Sequence, residues 1–205
     1  MLRTPDFWED AKSHLRSSDP VIARVIDTYE DPPLRSKGKV FETLVHSIVG
    51  QQISAVAADA VWKRLLTLLG DVQPSNIQER STDELRAVGL SGRKVEYIQG
   101  LASDASWVED YPWSTLSDDE VRKKLTALRG VGPWTAEMVL IFSLLRPDVL
   151  PLGDIGVVRA MEELYAGKSR LEPERLRAIA ERWTPFRTVA VWYLWRHLDA
   201  EPVEY

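Results

Sequence analysis

Leu128-Arg129-Gly130-Val131-Gly132-Pro133-Trp134-Thr135-Ala136, with Leu152-Gly153-Asp154 shortly after it, decides how this chain reads. Two glycines one residue apart, ahead of an apolar helix, make a tight turn, because glycine takes up positive φ and allows close backbone approach. Amides at a helix start have no intrahelical acceptor, and the helix dipole there attracts negative charge. A side-chain-poor anion site of this kind suits a nucleic-acid phosphate. Asp154 is an isolated carboxylate in an apolar stretch. A phosphate clamp with a lone acid beyond it points to chemistry on DNA.

Outward from the hairpin the pattern is helical almost throughout. Phe41, Leu44, Val45, Ile48 and Val49 recur at three- and four-residue spacing, the period of a helix with a buried face. Ile53 to Leu69 continues as an Ala-rich helix with Gly70 at its end. Ser81 with Glu84 has the form of a capping box, and Ser117-Asp118-Asp119-Glu120 caps the helix that runs to Leu128. Further helices are expected over Arg93 to Ala105, Pro133 to Leu145, Ile155 to Tyr165, Glu174 to Arg182 and Pro185 to Leu198. No hairpin dipeptide lies between alternating apolar residues, so the expected fold is all-α. The whole chain, 1–205, reads as one domain. Its approximate lobes are 40–150 and 1–39 plus 151–205, with residues 1–30 folding back onto the second.

Composition narrows the chemistry. Of 205 residues 44% are hydrophobic, enough for a sizeable core, and there is no cysteine. That excludes disulfides, a thiol nucleophile and a cysteine-bound iron–sulfur cluster. His14, His46 and His197 are far apart and form no metal-ligand pattern. No apolar run of about 18 residues occurs, so no membrane span is expected, and the N-terminus lacks signal-peptide features. The expected location is cytoplasmic, associated with the nucleoid. The net charge of −5 argues against a generic nucleic-acid binder. Yet Arg122, Lys123, Lys124 and Arg129 face a single acid, Glu120, between residues 120 and 134. This basic stripe is either a solvated helix face or a phosphate contact.

The stretch from Leu116 to Leu145 reads as helix, glycine hairpin, helix, and it resembles the motif of the helix-hairpin-helix DNA glycosylase superfamily. Leu152-Gly153-Asp154 falls where that superfamily keeps its catalytic aspartate. Phe41-Glu42-Thr43-Leu44-Val45, Gly50-Gln51-Gln52-Ile53-Ser54 and Ala180-Glu181-Arg182-Trp183-Thr184-Pro185-Phe186-Arg187 resemble the 3-methyladenine DNA glycosylase II branch. The resemblance covers roughly residues 40–198. Only about 40 residues precede it, so the chain looks like a short form without the N-terminal β-rich domain of larger members.

That resemblance implies two helical lobes around a DNA-binding cleft. It further implies a monomer that flips alkylated purines out of damaged double-stranded DNA and hydrolyses the N-glycosidic bond in base excision repair. Alternatives are the same scaffold with specificity for oxidised or deaminated bases, or a non-catalytic DNA-binding module. Asp154 would stabilise the oxocarbenium and direct the water, or simply cap a helix; one residue can do both. Bifunctional members carry a lysine at the hairpin position of Trp134, and an indole cannot form a Schiff base, so no lyase step is expected. Trp134, Met138 and Trp195 match pocket positions, with Trp183, Trp192 and Tyr193 as further candidates for stacking on a cationic base. Amides of the Gly130, Val131, Gly132 and Thr135 hairpin would hold the phosphate, and Gln52 or Ile53 would fill the gap. No cofactor is required. A sodium or potassium ion at the Leu128, Gly130 and Val131 carbonyls is the one ion the hairpin suggests.

Overall fold

The computed structural model describes residues 2–29, 32–104 and 106–199, and the predicted helix end at Ala105 lies outside them. Among the described residues there is no strand, only one isolated bridge between Arg3 and Ser36. They divide into two compact units. One is continuous, Gly38–Val139; the other joins the chain up to Lys37 with the chain from Leu140.

The second unit begins with α1 (Trp8–Ser18) and α2 (Pro20–Thr28), two helices that sequence pattern did not delimit. Their junction is Asp19, which is fully buried. Its Oδ1 accepts from the amides of Val21 (2.9 Å) and Ile22 (3.4 Å), capping α2. The continuous unit then carries α3 (Val40–Gly50), α4 (Ala55–Leu69), α5 (Pro74–Gln78), α6 (Thr82–Ala87), α7 (Gly92–Asp104), α8 (Asp118–Thr126) and the start of α9 (Pro133–Phe142). Residues 40–49 of α3 are all buried, the polar Glu42, Thr43, His46 and Ser47 included, so it is the central helix of this unit, with α4 and α7 packed on it. Lys39 at its N-cap makes no side-chain cap bond. The Glu109 carboxylate substitutes, accepting from Phe41 N at 2.6 Å and Val40 N at 3.3 Å. Both expected capping boxes form, on α6 and α8.

The unit boundary falls inside α9, not after it. The reason lies in the last turn of that helix, where Phe142 stacks on Trp195 (5.5 Å between ring centroids, 18° between planes). The second unit is completed by α10 (Ile155–Ala166), α11 (Pro173–Ala180) and α12 (Arg187–Leu198). α12 is buried from Thr188 to Leu194 and packs against α10, α2 and α1. Tyr165 of α10 and Trp183 both donate to Asp19 Oδ2, at 2.8 and 3.0 Å. Residues 2–29 are thereby fastened to α10 by one buried carboxylate with four donors. Burial and the Asp19 carboxylate push the Tyr165 phenol far above its ordinary value.

Candidate functional site

The expected residues fall into two sets, one per unit. In the continuous unit the hairpin joins α8 to α9. Gly130 has φ +87, and a Cβ there would lie inside the side chain of Tyr97, so no other residue fits the turn. The Val131 amide donates to Leu128 O at 3.1 Å, so it is engaged within the turn and competes poorly for a phosphate. Ala136 is the residue whose amide closes on Gly132 O (3.0 Å). The amides of Gly132 and Thr135 therefore have no intrahelical acceptor. The Gly130 carbonyl accepts from Gln51 Nε2 at 3.0 Å, and the same amide nitrogen donates to Thr135 Oγ1 at 3.1 Å. A carbonyl oxygen has two lone pairs, so the Gln51 donor still leaves Gly130 one for the expected cation. Among the described residues no cluster of three or more His, Asp or Glu could hold a metal ion.

Gln51 closes α3, its amide on Ile48 O at 3.3 Å, and Gln52 follows with φ +59, a strained value for a residue with a Cβ. Gln52 is exposed, as are Ile53 (41%) and Val56 (78%) at the start of α4. Ile53 and Val56 are three residues apart, with Ser54 capping α4 between them. Lys94 Nζ donates to Val49 O at 2.7 Å, holding the C-terminal end of α3, and burial lowers its pKa. Trp134, half-buried, abuts Gly50: a Cβ at that glycine would be 3.9 Å from its Cη2.

The basic stripe is largely neutralised by its own surroundings. Arg122 pairs with Asp119 at 2.9 Å and Arg129 with Glu96 at 2.5 Å, while Lys124 lies over the rings of Tyr111 (4.2 Å) and Trp107 (4.7 Å). These exposed pairs contribute at most about 1 kcal/mol each, so an incoming phosphate can displace them.

In the second unit Asp154 is the N-cap of α10, its Oδ1 accepting from Val157 N at 2.9 Å. The same oxygen accepts from Trp195 Nε1 at 3.1 Å. A Cβ at Gly156 would stand 3.0 Å from Asp154 Oδ1, so the glycine keeps the carboxylate and indole in contact. The turn leading in, Pro151-Leu152-Gly153-Asp154, closes with Asp154 N on Pro151 O at 2.9 Å. Upstream, Arg187 grips Asp148 in a two-pronged pair (2.6 and 2.7 Å), and Thr188 Oγ1 accepts from Val149 N. The loop before Asp154 is thus stitched to the first turn of α12. Asp154 keeps partial exposure, and Ile155 beside it is 84% exposed. Both line a shallow depression with Leu152, Gly153, Val158 and Arg159.

Four expected pocket residues do not present a surface. Met138 (1% exposed), Trp183, Trp192 and Tyr193 are buried. Trp183 serves the Asp19 network, and Trp192 packs edge-on against Trp8 and donates to Pro32 O at 3.3 Å. Residues whose roles sequence reasoning missed are Gln51, Glu109 and the Asp148–Arg187 pair; Gln51 and Arg187 lie in stretches that carry the resemblance, but their partners are far along the chain.

The family model described as HhH-GPD superfamily base excision DNA repair protein matches residues 45–186. The chain is 31% identical over 186 residues to DNA-3-methyladenine glycosylase 1 of Schizosaccharomyces pombe, covering 85% of this chain and 79% of that protein. A solved structure of S. pombe 3-methyladenine DNA glycosylase (Mag1) in complex with abasic DNA is similar, with a TM-score of 0.80 and 29% identity over 91% of this chain and 95% of that one. DNA-3-methyladenine glycosidase from Bacillus halodurans is similar with a TM-score of 0.70 and 33% identity, covering 97% and 93%.

Proposed function

The chain belongs to the HhH-GPD superfamily of base excision DNA repair proteins, and from that premise we propose that it is a monofunctional DNA glycosylase excising alkylated purines. The observation that carries this reading is Asp154, a partly exposed carboxylate held at one oxygen by a helix amide and the Trp195 indole. A cap needs no more than the amide. The indole fixes the carboxylate's direction, which is what a group stabilising a transient cation requires.

The hairpin amides of Gly132 and Thr135 grip a phosphate of duplex DNA, and Gln52, with Ile53 beside it, fills the place of the flipped nucleotide. Flipping costs on the order of a few kcal/mol, least at a damaged pair. An N-alkylated purine already carries positive charge and stacks on an aromatic face such as Trp195 or Trp134. The C1′–N bond breaks with its electron pair leaving on the base, which departs neutral and needs no general acid. Asp154 faces the oxocarbenium and takes a proton from the water whose oxygen bonds to C1′. With Trp134 in the hairpin no amine is offered to the sugar, so the product is an intact strand with an abasic site. A sodium or potassium ion at the Leu128, Gly130 and Val131 carbonyls would add positive charge beside the phosphate. The enzyme acts as a monomer, and no helix among the described residues is long and apolar enough to cross a membrane.

The test is incubation with methylated duplex DNA and chromatography of what is released. Free methylpurines, with strands that break only after alkali, are expected. Strand cleavage without alkali, or trapping of a covalent adduct by borohydride, would refute the monofunctional assignment. Release of oxidised or deaminated bases instead would move the specificity.

A further inference from the structure

The loop after α3 and the hairpin are joined by one side chain. The Gln51 amide has two N–H donors, one on Gly130 O (3.0 Å) and one on Thr135 Oγ1 (3.1 Å). Thr135 is 1% exposed, so its hydroxyl has no ready substitute in water. Gly130 cannot shift freely, because the side chain of Tyr97 occupies the space where a Cβ would stand. At the other end the Gln51 backbone amide is tied to Ile48 O in a helix buried along ten residues. The next residue is the strained, exposed Gln52. A second contact runs parallel, where Trp134 abuts Gly50. The backbone that sets the Gln52 side chain and the turn that presents the phosphate-binding amides therefore move as one piece.

We propose that Gln51 is a positioning residue that couples the hairpin's hold on phosphate to the seating of Gln52 in the gap left by a flipped nucleotide. This rests on the reading of the chain as a base-flipping glycosylase. Gln51 touches neither base nor sugar; it sets where Gln52 stands once the phosphate is gripped. Without the amide, the hairpin still binds a duplex, but binding no longer favours a duplex with a vacant base position.

The test compares affinity for an undamaged duplex and for one carrying a tetrahydrofuran abasic analogue, in wild type, Gln51→Leu, Gln52→Ala and the double variant. Wild type should prefer the abasic duplex. Gln51→Leu should reduce that preference about tenfold, the factor expected when buried hydrogen-bond partners are left unmet. Undamaged binding should stay within about twofold, and the double variant should lose no more than either single one, as coupled residues do. Thermal unfolding checks that each variant folds; if Gln51→Leu does not, Gln51→Met, of similar length and without donors, carries the same comparison. The proposal is overturned by a wild type without preference, by an unchanged preference in Gln51→Leu, by equal weakening on both duplexes, or by single losses that multiply. Base release plays no part in these readouts. A wild type that discriminates abasic DNA through Gln51 yet frees no methylpurine would contradict the glycosylase reading and leave the coupling standing.

Discussion

Asp19 and Asp154 are built alike and lie in the same unit. Each is the N-cap of a helix, each accepts backbone amides of the first turn, and each accepts a tryptophan indole. They differ in access. Asp19 is fully buried, with Val21 and Ile22 on one oxygen and Tyr165 and Trp183 on the other. Asp154 is partly exposed, lines a depression, and takes Val157 and Trp195 on a single oxygen. A capping carboxylate sealed by donors is a fastening. The same device with an open side is a preorganised negative charge that a reacting sugar can meet. Glu109 is a third version, reaching back to cap α3 in the other unit. The chemical group and the helix start are constant; full burial at one and partial exposure at the other set the role.

The comparison is broken most severely at Asp19. Asp19→Ala leaves the Tyr165 hydroxyl and the Trp183 indole unpaired in the core and uncaps α2. A loss of about 3–5 kcal/mol in denaturant unfolding is expected. A loss below about 1 kcal/mol would mean that the network is not what holds residues 2–29. At the open site, Trp195→Phe keeps an aromatic ring beside Phe142 but shortens it and removes the N–H to Asp154. Base release should slow about tenfold in single-turnover rate with the melting temperature nearly unchanged, the value of one charge-assisted bond. An unaltered rate would show that the indole does not direct the carboxylate.

The smallest effect belongs to Glu109. Burial raises its pKa above 4.5, outweighing the amides of Phe41 and Val40, which favour the ionised form. Above 4.5 the folded state then holds more proton than the unfolded state, and the slope of stability with pH is negative. Stability contributed by this group is present below 4.5 and declines as pH rises from there through the folded pKa. Glu109→Gln keeps an acceptor for the amides and should flatten that part of a stability–pH curve. An unchanged slope would assign it to another group.

These distinctions were unevenly legible in the sequence. Helix starts were readable where the cap is local, as at Ser81 and Ser117, because cap and amide lie within four residues. The cap on α3 was not, since Glu109 is far along the chain from Phe41. α9 was expected to reach Leu145 but stops at Phe142, with Leu145 at φ +52 and Arg146 N folded back on Leu140 O. Asp154 as a cap followed from its place before an apolar helix, whereas its indole partner came only with α12 in position. Trp183, Trp192 and Tyr193 looked like stacking surfaces because aromatic residues serve cores and pockets equally well. Gln51 and Gln52 are identical in sequence; α3 turns one towards the hairpin and leaves the other exposed. In the stripe read as a solvated face or a phosphate contact, the partners of Lys124 and Arg129 (Trp107, Tyr111 and Glu96) are invisible at short range, whereas Asp119, which pairs with Arg122, is three residues away.

The most direct measurement is base release and thermal unfolding of Asp154→Asn, run beside wild type. Asparagine caps a helix as well as aspartate does, so the melting temperature should stay within about 2 °C. Release of methylpurines should fall at least about 10²- to 10³-fold, since the negative charge facing the oxocarbenium is gone. A stable variant that still releases base at the wild-type rate would reduce Asp154 to a second Asp19, a fastening and nothing more.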